Sequence, residues 1–158
     1  SDALVCLNDF MATCAGILHA PLPVNAAEDS FSLLGVLENR SRTTPRKSLI
    51  HHSINGSFAI RADHWKLALC RDSGGWSEPR PGTPKAADLP PVQLFDLHRD
   101  SNEQTNVQTQ HPEVIARLTK LLEKTVADGR STPGAPQSNA VEVKLVKTPA
   151  AAAKAKKK

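Results

Sequence analysis

The amino-acid sequence predicts an α+β fold: a small antiparallel sheet of about four strands with a packed C-terminal helix. Three observations predict it. Asn55-Gly56 separates two β-rich runs, one ending at His51-His52-Ser53 and one beginning at Phe58-Ala59-Ile60-Arg61, and both turn residues tolerate positive φ, which makes the pair a hairpin signal. Two more short runs, Trp65 to Cys70 and Gln93 to Leu97, read as the third and fourth strands. Val114, Ile115, Leu118, Leu121, Leu122 and Val126 recur at helical spacing and give one amphipathic helix with an apolar face for the sheet.

The elements follow in order. Leu4 to Leu7 is an apolar, extended run. Asn8 or Asp9 is suited to cap a helix reaching Leu18, because a short side-chain acceptor satisfies free amides at a helix start. Met11, Cys14, Ile17 and Leu18 share one face of that helix, and Pro21 and Pro23 end it. Asp29-Ser-Phe-Ser-Leu-Leu34 reads as a short capped turn or helix, and Asn39 to Lys47 as a basic, polar loop carrying Arg40, Arg42, Arg46 and Lys47. Residues 71–91 hold five prolines and three glycines and are expected to form a long surface excursion without regular structure. Asp100-Ser-Asn-Glu103 has capping-box spacing, with Asp in place of Ser or Thr. Pro112 suits the first turn of the last helix, and Gly129 stops it. From Ser131 the chain is Ser, Thr, Pro, Ala and Lys, too poor in apolar pattern to order itself, and Val141 to Val146 is not expected to add a strand.

At 158 residues the chain fits one domain. Four Phe, two Trp and no Tyr make the core aliphatic. The net charge of +4 is misleading, because residues 139–158 hold six Lys against one Glu. The body is left with 14 basic and 15 acidic side chains, which is no footprint for nucleic acid. The Lys-rich tail reads as a solvated, disordered segment rather than an electrostatic arm for nucleic acid or anionic surfaces. Cys6, Cys14 and Cys70 make neither a metal spacing nor a disulfide framework and are expected to be buried free thiols. No run reads as a signal peptide or a membrane span, which, for a chain starting at Ser1, says nothing of compartment.

Several motifs fall in a familiar order. His51-His52-Ser53, Gly56, Phe58-Ala59-Ile60-Arg61 and Trp65-Lys66-Leu67 form one; Leu94-Phe95-Asp96-Leu97, Asp100, Glu103 and Asn106 form another. Leu7-Asn-Asp-Phe-Met-Ala-Thr13, Pro21-Leu-Pro23, Glu28-Asp-Ser30 and Ser73-Gly-Gly-Trp-Ser77 add to them. In this arrangement the chain resembles the C-terminal part of sulfatases of the bacterial arylsulfatase-like branch. The resemblance implies the small C-terminal subdomain of an alkaline-phosphatase-like fold at residues 39–130, the edge of the large α/β domain at 1–38, and a tail at 131–158.

The same resemblance implies hydrolysis of aryl or carbohydrate sulfate esters by the intact protein. In the family a hydrated formylglycine attacks sulfur while calcium neutralises the sulfate oxygens. Formylglycine comes from the Cys or Ser of a C/S-x-P-x-R motif, and none of the three cysteines begins one. Ser77-Glu-Pro79-Arg80-Pro81 approaches it, with the arginine one place early. The chain is therefore expected to carry no catalytic residue and no metal ligand, and to be inactive alone. Its expected partners are a sulfated small molecule or carbohydrate and the N-terminal sulfatase domain, with no nucleic acid and no membrane. A periplasmic or extracellular location is the family expectation. The alternative is a non-catalytic carbohydrate- or protein-binding module.

Candidate contacts follow from this. Alternation along a strand places His51 and His52 on opposite faces, so that one of them, preferably His52 near the turn, can reach a substrate pocket; otherwise it is a histidine bonded in a domain interface. Trp76 is a candidate for stacking on a sugar ring, or else a plug that pins its loop to the sheet. Arg61 and Lys66 are weaker candidates for an anionic substrate and read more simply as solvated strand positions. Asp96, Asp100, Glu103 and Asn106 lack the spacing of a calcium loop and read as capping residues.

Overall fold

A computed structural model describes residues 3–146. Its elements run α1 (Asp9–Ile17), α2 (Leu34–Leu37), β1 (Ser48–His52), β2 (Phe58–Ala62), β3 (Trp65–Ala68), α3 (Pro84–Ala87), β4 (Gln93–Asp96) and α4 (Pro112–Asp128). The four strands form one sheet in the order β1-β2-β3-β4, with every neighbouring pair antiparallel. The register sets Ile50 opposite Ile60, Ile60 opposite Leu67 and Leu67 opposite Leu94, so one apolar row crosses the sheet.

Helix α4 covers that row. Val114, Leu118 and Leu122 are its buried residues, and they meet Ile60, Leu67 and Leu94 in one core. Full burial of a Leu or Ile stabilises by about 1.5–3 kcal/mol, which makes this aliphatic layer the main support of the fold. Pro112 opens the helix, and Gly129, at φ 61°, ends it in the left-handed conformation that a side chain would strain.

The hairpin differs from a two-residue Asn-Gly loop. Five residues, Ser53 to Ser57, separate β1 from β2. Gly56 has φ 78° and donates to Ser53 O at 2.8 Å, whereas Asn55 stays at negative φ. The Asn55 side chain explains the choice: its Oδ1 accepts from Ser57 N at 2.9 Å and Ser57 Oγ at 2.7 Å, closing a side-chain-mediated turn.

The Pro-rich excursion is not wholly irregular. Thr83 caps the single turn α3 through Ala86 N, and Pro84 stands in its first turn. Gln93 Nε2 ties the start of the excursion back to the sheet, donating to Cys70 O and Asp72 O at 3.0 Å each.

The Asp100–Glu103 spacing does not open a helix. The Asp100 carboxylate instead accepts from Thr105 N at 2.7 Å, and amides from Gln104 onward hold its pKa below the ordinary value. Glu103 turns away to bind Lys66 Nζ at 2.6 and 2.7 Å, because the loop brings it over the sheet. Asn106 works on the outer edge of β4, where its Oδ1 accepts from Leu94 N at 2.9 Å and its Nδ2 donates to Val92 O at 3.1 Å.

The N-terminal segment joins this unit through polar groups. Asp9 is not a simple cap: it begins α1, is fully buried, and its carboxylate accepts from Cys6 N and Phe31 N at 2.9 Å each. Ser30 Oγ accepts from Ala12 N at 2.8 Å, and Thr13 Oγ1 accepts from Leu33 N at 2.9 Å. The short helix α2 starts at Leu34, the last residue of the expected 29–34 turn or helix, and runs on to Leu37.

The cysteines depart from expectation. All three are free, but Cys14 is exposed and Cys6 and Cys70 are only half-buried. The segment after Ser131 departs as well. Up to residue 146 it has no strand, yet Gln137 N donates to Asp128 O at 2.8 Å and Asn139 Nδ2 to Val126 O at 2.7 Å, while Leu145 packs on the core. Backbone and amide hydrogen bonds hold a stretch that its apolar content alone would not. The Lys-rich residues from 147 lie outside the described part.

Candidate functional site

Strand β1 is the open edge of the sheet, and its α4-facing side borders a cavity of about 300 Å³. The wall includes Ser48, Ile50 and His52 from β1, Phe58 from β2, and Arg46, Arg130 and Ser131 from the flanking loops. His52 stands beside its cross-strand partner Phe58, ring centroids 4.1 Å apart and planes at 69°, an edge-to-face arrangement that fixes the imidazole.

Two buried arginines build the floor. Arg46 forms a buried ion pair with Asp9; its Nε lies 3.3 Å from Asp9 Oδ2, and its Nη2 also donates to Asp29 O at 2.8 Å. Burial alone would raise the Asp9 carboxyl, but the Arg46 guanidinium and the amides of Phe31 and Cys6 outweigh it and hold the pKa below 3.8. The sequence offered Arg46 only as part of a basic, polar loop; its partners lie up to 38 residues away, and no local pattern signals them. Arg130 donates to Val24 O at 3.2 Å, Ala135 O at 3.1 Å, Thr132 O at 3.0 Å and Thr132 Oγ1 at 2.9 Å. Sequence reasoning missed it for the same reason.

Among the described residues, two buried side-chain polar atoms lack a hydrogen-bond partner, Ser131 Oγ and Arg61 Nε. Ser131 lines the cavity that His52 lines. Arg61 sits on the other face of the sheet, level with Lys66 in the register.

The remaining candidates lie elsewhere. His51 shares the Arg61–Lys66 face, as alternation requires. Partial desolvation lowers its pKa, Lys66 lowers it further, Glu103 opposes, and His52 adds a small lowering. Lys66 is held by Glu103 rather than free in solvent. Trp76 is 79% exposed and does not plug its loop onto the sheet. The loop is tied instead to the hairpin through Asn55 N to Gly74 O at 3.1 Å, which brings Trp76 to the same end of the sheet as the two histidines. Of the three candidate contacts, only His52 borders the cavity.

Cys70, just past β3, is not an activated thiol: burial, then the Asp72 carboxylate, push its pKa up. No group of three or more His, Cys, Asp or Glu among the described residues could hold a metal ion. No helix among them is long and apolar enough to cross a membrane.

The described residues thus form a four-stranded meander crossed by one helix, with a cavity of mixed polar and apolar lining at its β1 edge. No family model matches the chain. The N-acetylgalactosamine-6-O-sulfatase of Bacteroides thetaiotaomicron is 36% identical to it over 125 residues, 77% of this chain and 23% of the relative. Arylsulfatase K of Gallus gallus is 29% identical over 136 residues, 79% of this chain and 22% of the relative. A solved chain described with the metabolism of multiple glycosaminoglycans by Bacteroides thetaiotaomicron superimposes with a TM-score of 0.58 at 31% identity, covering 74% of this chain and 24% of its own. A second solved protein, in complex with its substrate D-glucosamine-2-N,6-O-disulfate, has the same fold, with a TM-score of 0.52 at 23% identity over 74% of this chain and 23% of its own. The chain corresponds to the C-terminal portion of a sulfatase, with the C-terminal subdomain of the alkaline-phosphatase-like fold. It spans less than a quarter of the length of these curated relatives.

Proposed function

We propose that this chain serves a sulfatase acting on sulfate esters, of carbohydrate or aryl alcohols, by closing the substrate pocket and contacting the substrate. The reaction itself belongs to the portion that the relatives carry beyond this one, where the formylglycine and calcium of the family would reside. Here His52 is the primary contact, and His51 and Trp76 are the further contacts at the same end of the sheet. One observation carries the reading: the segment homologous to the carbohydrate sulfatase has the His52 imidazole, packed edge-on against Phe58, on the wall of a cavity lined by both polar and apolar side chains. A sugar, with apolar ring faces and polar edges, is the kind of ligand that such a mixed wall accommodates. Residues 1–38 supply the edge by which this portion joins the large domain.

The test is kinetic and uses an assembled enzyme, in which this chain replaces the matched C-terminal quarter of the Bacteroides thetaiotaomicron relative. His52→Ala is expected to lower kcat/KM about tenfold for a sulfated sugar, mainly through KM, with a smaller effect on a small aryl sulfate. His51→Ala is expected to do less. Unchanged kinetics in His51→Ala, His52→Ala and Trp76→Ala on both substrates would show that these residues are structural.

A further inference from the structure

Ile54 stands at the tip of the β1–β2 hairpin and is 68% exposed. Turns ordinarily take Gly, Pro, Asn, Asp or Ser at such a place, and a stiff, β-branched residue there needs a reason. The core does not supply it, because Ile54 is not among the residues packed there. Trp76, 79% exposed, sits on the loop that meets this tip through Asn55 N and Gly74 O.

That loop is firmly braced for one that shows an indole to solvent. Gly74 N donates to Asp72 Oδ1 at 2.8 Å. Gly75 N donates to Ser73 Oγ at 3.2 Å, and Ser73 Oγ donates to Ser77 O at 2.7 Å, so one hydroxyl clasps the chain on both sides of Trp76. Two glycines let the loop lie against the hairpin. Gly74 has φ 64°, and a Cβ there would stand 2.6 Å from Ser53 Cβ. A Cβ on Gly75 would stand 3.1 Å from Ile54 Cγ2, so Ile54 packs on the residue next to Trp76. Exposed apolar side chains are ordinary when scattered singly. Here two large ones are brought together on braced turns, where little freedom is left to lose on binding.

We propose that Ile54 and Trp76 form one apolar platform for the face of a sugar ring, with Gly75 as its positioning residue; the inference deepens the function proposed above and rests on it. Two considerations select a sugar. Residues 53–57 and 73–77 carry no charged side chain, and Ser53, Ser73 and Ser77 set hydroxyls beside the platform, which suits the C–H face and hydroxyl edge of a neutral ring. The platform is also two side chains wide, against roughly 20–30 residues a side in a protein interface.

The test is steady-state kinetics of the assembled enzyme described above, on a sulfated disaccharide and on a small aryl sulfate. Ile54→Ser is expected to lower kcat/KM for the disaccharide about fivefold, mainly through KM, with a smaller effect on the aryl sulfate. Gly75→Ala, whose methyl group pushes the loop off Ile54 Cγ2, is expected to do the same. Adding Ile54→Leu to Gly75→Ala removes that methyl branch and keeps the apolar surface, and is expected to recover most of the loss. A loss in Trp76→Ala or His52→Ala that Ile54→Ser and Gly75→Ala do not share overturns the platform and leaves the proposed function standing. A loss in Gly75→Ala that Ile54→Leu does not recover overturns the positioning role. Unchanged kinetics throughout, His52→Ala included, overturn both the platform and the function on which it rests.

Discussion

Arg46 reaches across 37 residues of sequence to Asp9, and both side chains are out of solvent. This pair, rather than apolar contact, fastens α1 to the start of β1, since Arg46 Nη1 also donates to Ser48 O at 3.3 Å. Removing one partner leaves the other charge buried and uncompensated, which costs about 3–5 kcal/mol. Arg46→Met is therefore expected to lower the denaturant midpoint sharply. Arg46→Lys should not rescue it, because an ammonium cannot reproduce the bonds made by Nε, Nη1 and Nη2. Wild-type stability in Arg46→Met would remove the pair from the account of the fold.

The same pair sets an acid limb. The Asp9 carboxyl has a folded-state pKa below its ordinary 3.8, so its contribution is present above that value and is lost as pH falls through the folded pKa. Unfolding midpoints measured between pH 5 and pH 2 are expected to fall less steeply in Asp9→Asn than in wild type, from a lower starting stability. Parallel curves would show that other carboxylates control the limb.

Leu118 is fully buried against the sheet, and Lys120, two positions on, is exposed. Leu118→Asp is expected to abolish cooperative unfolding, because a buried, unpaired carboxylate costs several kcal/mol, comparable with the whole stability of a small domain. Lys120→Asp should stay within about 0.5 kcal/mol of wild type. Equal losses from both would mean that α4 is rotated on the sheet.

His51 and its surroundings give a titration test. The folded imidazole is expected to titrate below 6.5, so its stability contribution is full above that value and declines as pH falls below it. Lys66→Met removes one cation and frees Glu103, and both changes should move the His51 midpoint upward. Glu103→Gln should move it downward. Proton NMR of the imidazole signals measures all three, and a midpoint indifferent to both substitutions would place His51 away from this pair.

Ending the chain at Arg130 removes Thr132 and Ala135 from the Arg130 side chain and Gln137 and Asn139 from the end of α4. The melting midpoint is expected to fall by several degrees, at about 1 kcal/mol for each buried bond lost and roughly 2–4 °C per kcal/mol at this size. Ending it at Val146 keeps all of these contacts and should leave the midpoint unchanged. Identical midpoints for the two truncations would show that residues 131–146 do not contribute.

The sheet and α4 were legible because their signal is local. Period-two alternation separates His51 from His52, and a stripe from Val114 to Val126 marks the helix face. What was not legible is long-range polar pairing. Arg46 and Arg130 look like ordinary surface cations until Asp9, Asp29 and Val24 are brought to them by the fold. Glu103 had a local explanation as a capping residue and lost it to Lys66, a stronger partner 37 residues away. The outward face of α1 was readable as a pattern, but that it faces away from this unit follows only from knowing where Asp9 is held.

Asn106 gives the sheet a direction of growth. Its amide takes up Leu94 N and Val92 O along the outer side of β4, and Val107 N occupies Leu94 O at 2.9 Å, so an incoming strand finds those groups already used. Strand β1, the opposite edge, is covered among the described residues only at Ser48 O, which accepts from Arg46 Nη1 at 3.3 Å. Edge-to-edge recruitment can therefore proceed from one side alone. Two copies that meet through β1 exhaust their free edges in a single encounter, and a ribbon that needs two open edges per copy has no way to continue.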